Sequence, residues 1–205
     1  EDTNPENIYI PAYKLIEEEA KWLFKNKAII LIQSDRMKLY YKYIEKLIKK
    51  EVAYICACSQ EEFKKFADSK QECPHRDIPV KENLKNWEKM LDKNGFSEGE
   101  AVLRFKSNMQ NPNPAMRDFP LARINESEHP RQKKKYKVWP LMNLAVAVDD
   151  IELKMTHIIR GKDHRDNAQR QEMIYKALGK KYPWCAFIGR INFKEMELST
   201  SQTRK

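Results

Sequence analysis

Three cysteines and a histidine cluster in one short stretch, CACSQEEFKKFADSKQECPH (56–75). Cys56 and Cys58 form a C-x-C pair, and Cys73 and His75 form a C-x-H pair after an intervening segment of 14 residues. Three sulfurs and one imidazole are a ligand set of closed, tetrahedral structural zinc sites. The same residues would otherwise be three buried thiols and a surface histidine, since C-x-C is tighter than the common C-x-x-C spacing. A disulfide would leave the histidine unexplained and is uncommon in the cytosol.

A second set of candidate residues lies in IIRGKDH (158–164), where a strand pattern is followed by a turn and a helix pattern. This order places Arg160 at a strand end, Gly161 in the turn and Asp163 at the start of the helix. Ligands of open parallel sheets bind at such points, beside helix N-termini. An arginine there can hold a carboxylate or phosphate through two parallel hydrogen bonds, and an acidic residue can accept one from a ribose hydroxyl or an amine. The structural alternative is a helix-capping Asp163 and a surface ion pair at Arg160.

The chain is strongly basic, with a formal net charge of +9 and a pI of about 9.2. This charge indicates either a lysine-rich surface or a polyanionic partner such as nucleic acid. The loop HPRQKKKYK (129–137) presents the same choice between a solvated turn and a phosphate-contacting segment. With five glycines and no G-x-G-x-x-G or P-loop pattern, the sequence excludes a glycine-rich phosphate loop.

The composition is that of a globular chain: 41% of its 205 residues are hydrophobic and 34% are charged. No apolar run approaches the roughly 18 residues of a membrane helix, and no stretch resembles a signal peptide, so we expect no membrane partner and a cytoplasmic location. Four cysteines in that compartment favour free thiols or a metal. The chain lacks an initiator Met and ends on the polar stretch STSQTRK, which suggests a piece of a longer polypeptide.

Hydrophobic periodicity predicts an α/β unit at each end of the chain with a mixed α+β segment, roughly 36–138, between them. One helix has a clear inward stripe that begins at Met37, with Ser34 or Asp35 as its cap. A second helix has the predicted inward stripe Val80, Leu84, Trp87 and Leu91, with Gly95 expected just past its end. Cys185 is expected in the core. The predicted helices are 11–26, the one after residue 35, 59–70, 79–96 and 161–179, and the predicted strands are 28–33, 52–56, 101–106, 120–125, 155–160 and 185–189.

Five motifs in order give the sequence a family resemblance: EDTNP followed by a helix, QSDR…YY, MRDFPLARI, VWPLMNLAVAVDD and THIIRGKDH. Together they closely resemble the archaeal-type glutamyl-tRNA synthetases, class I enzymes in the subgroup shared with glutaminyl-tRNA synthetases. RGKDH is more similar to the glutamyl branch. The resemblance implies an α/β fold with a split Rossmann-type catalytic domain (1–35 and 139–205), interrupted by a connective, tRNA acceptor-binding domain (36–138). It also implies activation of glutamate by ATP with Mg²⁺ and transfer to the 3′ end of tRNA.

The resemblance assigns roles to single positions. Glu1 matches the residue that contacts the amino acid's ammonium, Arg160 the one that recognises the glutamate carboxylate, and Asp163, beside Gly161, a position near the ATP ribose. ELSTS (197–201) matches the mobile K-M-S-K-S loop that closes over the ATP phosphates. This match implies ATP contacts from Leu198 and Ser199 and catalytic roles for Ser199, Thr200 and Ser201. Some relatives also carry a similar C-x-C…C-x-H zinc site in the connective domain, which favours zinc at Cys56, Cys58, Cys73 and His75.

The sequence departs from the family pattern in three places. Glu197 and Thr200 stand where the mobile loop usually has lysines, with Lys194 or Lys205 as possible substitutes. Met142 and Val146 stand where bacterial relatives carry a tyrosine and an asparagine, so Met142 and the neighbouring Asn143 are the candidate substrate contacts. An H-I-G-H-type motif and an anticodon-binding domain are not present.

These departures predict a catalytic-core fragment that is inactive by itself. Two alternatives stay open: a non-catalytic tRNA- or RNA-binding module, and a truncated paralogue that glutamylates a modified tRNA base. The sequence leaves the oligomeric state unknown.

Overall fold

The structure, a computed structural model, describes residues 1–189 and contains two sheets and several helices. An antiparallel sheet has the order β1-β2-β3-β4, and β5 and β6 form a two-stranded parallel sheet. The α/β prediction is confirmed. The strands are β1 (Ala53–Cys56), β2 (Val102–Phe105), β3 (Phe119–Ile124), β4 (Val138–Pro140), β5 (His157–Gly161) and β6 (Trp184–Ile188). The helices are α1 (Ala12–Leu23), α2 (Met37–Lys49), α3 (Gln60–Asp68), α4 (Val80–Leu91), α5 (Met142–Glu152) and α6 (Arg165–Ala177).

The inward stripe of α2 forms the centre of the main core. Its buried residues recur at helical spacing, so one face of the helix is apolar throughout and packs on α4 and β1. Full burial of each large apolar side chain stabilises the fold by about 1.5–3 kcal/mol. The buried stripe residues are Met37, Tyr40, Ile44, Leu47 and Ile48, as the periodicity predicts. Tyr41, which the same pattern includes, is only partly buried against this core.

The two faces of β1 serve two different clusters because successive side chains of a strand point to opposite sides. Ala53 and Ile55 belong to the main core. Tyr54 and Cys56 belong to a second, smaller cluster, which we call the cysteine cluster, formed by Tyr54, Cys56, Cys58, Phe63 and Cys73. The strand therefore delivers the first cysteine to the opposite side of the sheet from α2.

The main core continues across position 138, where the resemblance places a domain boundary. Val138 and Trp139 on β4, Leu144 on α5 and Ile174 on α6 are buried in the same cluster as the α2 stripe. The division at 35/36 and 138/139 stays a prediction. None of the helices in the described part of the chain is long and apolar enough to cross a membrane.

Two local predictions in the first 36 residues are wrong. Residues 28–33 form no strand: Ile29 is 87% exposed, and no strand of residues 1–189 pairs with this segment to complete a hydrogen-bond ladder. Ser34 and Asp35 do not cap α2, whose N-cap is Arg36 without a side-chain hydrogen bond. Their polar groups bond to distant residues instead, as described below.

Three further predictions are corrected around α4 and β6. The helix ends at Leu91, so Gly95 is not its first residue beyond the end. Glycine is needed there because a Cβ atom would lie 1.8 Å from the Lys89 carbonyl oxygen. The buried face of α4 consists of Asn83, Trp87 and Met90, whereas the predicted Val80, Leu84 and Leu91 are partly exposed. Cys185 is only partly buried on β6.

Candidate functional site

Cys56, Cys58, Cys73 and His75 converge at one point, with their ligand atoms all within 4.8 Å of one another. The Sγ atoms of Cys56 and Cys73 are 3.8 Å apart, and Cys58 Sγ lies 3.3 Å from His75 Nδ1. Zinc–ligand distances of about 2.0–2.3 Å at tetrahedral angles require ligand atoms roughly 3.5–4 Å apart. The four side chains therefore fit a tetrahedral metal, and the 3.8 Å sulfur separation excludes a disulfide between Cys56 and Cys73.

The loop geometry that brings the ligands together begins at Ser59. Its hydroxyl accepts from the Glu62 backbone N–H, and the Glu62 carboxylate accepts from the Ser59 N–H, a capping box that starts α3 directly after Cys58. α3 then returns the chain to Cys73. The pKa of Cys56 is lowered chiefly by its hydrogen bond with Cys73, and the same bond raises the pKa of Cys73.

A polar network supports the Cys73 side of the cysteine cluster. Cys73 lies 3.4 Å from the Tyr54 hydroxyl, which donates to Asp118 at 2.9 Å. Asp118 is buried and also accepts from Arg76 and from the Ser107 backbone N–H. Its negative charge is therefore neutralised within the network.

Arg160 lies at the end of β5, as predicted, and a buried glutamine holds its guanidinium. Arg160 Nη1 donates to Gln171 Oε1 at 2.9 Å. Gln171 is 1% exposed; its Oε1 also accepts from Tyr182, and its Nε2 contacts Asn143 Oδ1 at 3.5 Å. Asp150 lies near enough for the positive charge of Arg160 to oppose the burial that raises its pKa. No carboxylate of residues 1–189 lies within ion-pair distance of Arg160, so most of its donors are available to a ligand.

Glu1 lies close to His164, in the turn that follows β5. The residue as a whole is exposed, but its carboxyl is partly desolvated, which raises its pKa, while the nearby His164 acts in the opposite direction. The structure therefore places Glu1 near the turn between β5 and α6.

The residue after Glu1 is firmly anchored. Asp2 is buried and accepts hydrogen bonds from the Ser34 backbone N–H at 2.9 Å, the Ser34 hydroxyl at 2.6 Å and the Tyr13 hydroxyl at 2.7 Å. Burial and the hydrogen bond to Asp2 raise the pKa of Tyr13. These contacts fix the backbone that carries Glu1.

His129 connects this segment to the basic loop. It is fully buried, and its Nδ1 accepts from the backbone N–H groups of Arg131 and Gln132, both at 3.0 Å. The proton must therefore be on Nε2, which donates to the Asp2 carbonyl at 2.9 Å. Its ring stacks on Trp139 at 4.8 Å.

The other predicted site residues are less constrained. Gly161 ends β5, and a Cβ atom there would lie 2.4 Å from Asp163 Oδ1. The Asp163 side chain is 82% exposed and makes no cap hydrogen bond, so the capping alternative does not hold. Met142 starts α5 and is half-buried. Leu198, Ser199, Thr200 and Ser201 lie outside the described residues, as do Lys194, Glu197 and Lys205.

The basic loop is partly occupied by contacts within the chain. Arg131 pairs with Asp35 at 2.7 Å, Lys133 with Glu128 at 3.4 Å, and Lys137 donates to the Asp92 carbonyl at 2.9 Å. Lys133, Lys134 and Lys135 are nevertheless exposed. Both readings of this loop, the solvated turn and the phosphate contact, stay open.

Residues 1–204 match the family model described as tRNA synthetases class I (E and Q), catalytic domain. The chain belongs to this synthetase family. The resemblance inferred from the five motifs is thereby confirmed.

Relatives of the synthetase chain include glutamate–tRNA ligases of archaea. That of Pyrococcus furiosus is 48% identical over 203 residues, covering 98% of this chain and 35% of the relative. That of Methanothermobacter marburgensis is 43% identical over 205 residues, or 100% of this chain and 37% of the relative. The chain thus spans about a third of the length of these relatives.

A solved structure shares the fold. The crystal structure of a glutamate tRNA ligase from Elizabethkingia meningosepticum, in complex with its amino acid, superposes with a TM-score of 0.62 and 20% identity, covering 99% of this chain and 44% of that one.

The sequence alone did not single out the buried polar residues that hold Arg160 and the segment around Asp2. Gln171 lies on the inward stripe of α6, and His129 lies within a basic loop. Neither sequence pattern predicts that the residue is buried and makes polar contacts. Position provides one usable signal: Gln171 falls three residues before the buried Ile174, on the same face of α6. A glutamine at an inward position indicates a buried partner for its amide.

Proposed function

We propose that the chain is the catalytic-core part of an archaeal-type glutamate–tRNA ligase, which activates glutamate with ATP to glutamyl-adenylate and transfers it to the 3′ end of tRNA. The observation that carries this proposal is Arg160, which Gln171 holds at the carboxyl end of β5 with no carboxylate of residues 1–189 within ion-pair distance. The names and 42–48% identity of the archaeal relatives support it. Such a ligase acts on tRNA, so we propose a cytoplasmic location.

Arg160 would pair with the side-chain carboxylate of glutamate, and Glu1 with its ammonium. Asn143 would keep Gln171, and through it Arg160, in place, with Met142 as a wall of the pocket. Gly161 and Asp163 would contact ATP. Bound with Mg²⁺, ATP would supply the adenylyl group that activates the α-carboxylate of glutamate, with pyrophosphate as the leaving group. Leu198, Ser199, Thr200 and Ser201 complete the proposed set. Such a site accelerates the reaction by positioning and charge stabilisation.

The four converging ligands would hold a structural Zn²⁺. All four positions are protein side chains, so no coordination position is left for a catalytic water. The metal would fix the end of α3 and the segment around residue 73 against β1. This arrangement gives the proposed connective domain (36–138) a rigid tip.

ATP–pyrophosphate exchange on the full-length protein tests the function. We expect exchange with glutamate, little with glutamine, and no aminoacylation by the 205-residue chain alone. Glutamate and glutamine should be compared with and without tRNA. RNA binding without exchange would instead identify a binding module, and transfer only to a modified base within the tRNA would identify a paralogue.

We expect the chain alone to bind tRNA weakly through the exposed cations of 36–138, including Lys133, Lys134 and Lys135. Each phosphate contact releases condensed counterions, so the affinity should fall steeply with salt. A filter-binding or fluorescence titration between 50 and 200 mM salt should show a loss of about 10³-fold or more if six or more phosphates are contacted. Affinity that stays constant over this range would rule out an electrostatic tRNA surface.

A further inference from the structure

Arg104 is a buried cation without an acidic partner. It lies on β2, is 7% exposed, and its guanidinium carbon is 3.4 Å from the centre of the Phe63 ring. Its Nε is buried with no hydrogen-bond partner, and no carboxylate of residues 1–189 lies within ion-pair distance. An isolated buried charge costs several kcal/mol, so an anionic group is expected nearby.

The neighbouring arginines do not share this property. Arg117 is also buried, but it donates to the carbonyl oxygens of Asn111 at 2.8 Å and Ala67 at 2.6 Å. Arg76 pairs with Asp118 and Glu72. Asp118 is therefore already neutralised and is not the counter-charge for Arg104.

The register of the sheet shows which groups face Arg104. It pairs across the strands with Tyr54, and Cys56 lies two residues further along β1 on the same face. Arg104 is thus a diagonal neighbour of Cys56, within reach of a long side chain. Phe63, on which the guanidinium stacks, belongs to the same cysteine cluster.

The charge of the proposed zinc site supplies the missing partner. A divalent metal bound by three thiolates and one neutral imidazole has a net charge of −1. We propose that Arg104 is the counter-charge of this site. Its unpartnered Nε–H and its terminal guanidinium N–H groups would donate hydrogen bonds toward the thiolate of Cys56. The inference rests on the zinc site described under Proposed function. Arg104 is a positioning and charge-balancing residue and is not itself a ligand.

The test measures Zn²⁺ affinity of the 205-residue chain by competition with a chromophoric chelator at fixed pH and salt. Arg104→Gln and Arg104→Met should weaken zinc binding by about 10- to 100-fold, the usual range for residues that support metal ligands. Arg104→Lys should retain most of the affinity because it keeps the charge. Arg104→Met preserves the apolar stem over Phe63 and covers the case in which the glutamine variant does not fold.

Arg123→Gln is the matched control. Arg123 lies on the adjacent strand β3, is 40% exposed, and its removal changes the net charge equally. We expect wild-type zinc affinity in this variant. Arg104→Gln and Arg104→Met proteins that bind zinc as tightly as Arg123→Gln would overturn the inference and leave the zinc site intact. An unmodified chain that binds no zinc would overturn both.

Substitution of Co²⁺ for zinc gives a second readout. The intensity of the sulfur-to-cobalt charge-transfer bands rises with the number of bound thiolates. In the wild type and in Arg104→Lys it should correspond to three thiolates. The bands should appear only at higher cobalt concentration in Arg104→Gln. Equal half-saturation in all variants would count against the proposed role.

Discussion

Replacing Arg160 by alanine in the full-length protein should raise the KM for glutamate by about 30-fold to several thousand-fold. Truncating one partner of a buried, hydrogen-bonded charge pair costs about 2–5 kcal/mol, and every 1.4 kcal/mol is tenfold. Part of the cost arises because the substrate carboxylate is left unpaired, and part because Gln171 loses the donor that it holds at 2.9 Å. The KM for ATP should change much less. Exchange kinetics with each substrate varied in turn provide the measurement.

Arg160→Lys is the control for charge without the two-pronged geometry. It should recover part of the loss, because a lysine ammonium offers a point charge but not the planar fork of arginine. The ratio of kcat/KM for glutamate to kcat/KM for glutamine should be smaller in both variants than in the wild type. Equal increases in the KM for glutamate and for ATP would contradict the assignment of Arg160 to the amino acid.

Replacing Cys73 by serine should abolish zinc binding by the chain. Metal analysis of chelator-free wild-type protein should find about one zinc per chain, and the variant should hold almost none. Because metal binding and folding are coupled in such sites, hydrogen-exchange protection of residues 52–78 should be lost with the metal. Cys73 sits between Cys56, at 3.8 Å, and Tyr54, at 3.4 Å, so its removal also disturbs the network toward Asp118.

Cys185→Ser is the matched control, since Cys185 lies on β6 and is absent from the group of converging ligands. Its zinc content and the protection of 52–78 should equal the wild type. A metal-free wild-type protein with the same segment equally protected would refute the zinc proposal. A Cys73→Ser protein that retains one tightly bound zinc would refute this ligand set.

Local patterns predicted the parts of the structure that local physics determines. The α2 stripe from Met37 to Ile48 is readable because a helix repeats every 3.6 residues and one face is fully buried. The convergence of Cys56 with Cys73 was also predictable, since two close pairs flank a single short helix and few backbone paths separate them.

The failures have a common cause in long-range contacts. Residues 28–33 have strand composition, but a strand requires a neighbour that sequence alone does not locate. Ser34 and Asp35 look like helix caps, yet each satisfies a partner elsewhere: Asp2, 32 positions earlier, and Arg131, 96 positions later. Gln171 was missed as a support for Arg160 because its role depends on Asn143, 28 positions earlier.

The bond from His129 to the Asp2 carbonyl, which spans 127 positions, bears on how the chain is made. A ribosome releases residues 1–5 long before His129, so Asp2 has no imidazole donor and no loop to dock against until most of the antiparallel sheet has been synthesised. Closing so long a loop costs conformational entropy that local contacts do not offset. The segment around Asp2 is therefore expected to dock on His129 after the sheet has formed. Glu1 is the adjacent residue. The residue that we propose as the contact for the glutamate ammonium would then be one of the last parts of residues 1–189 to reach its final geometry.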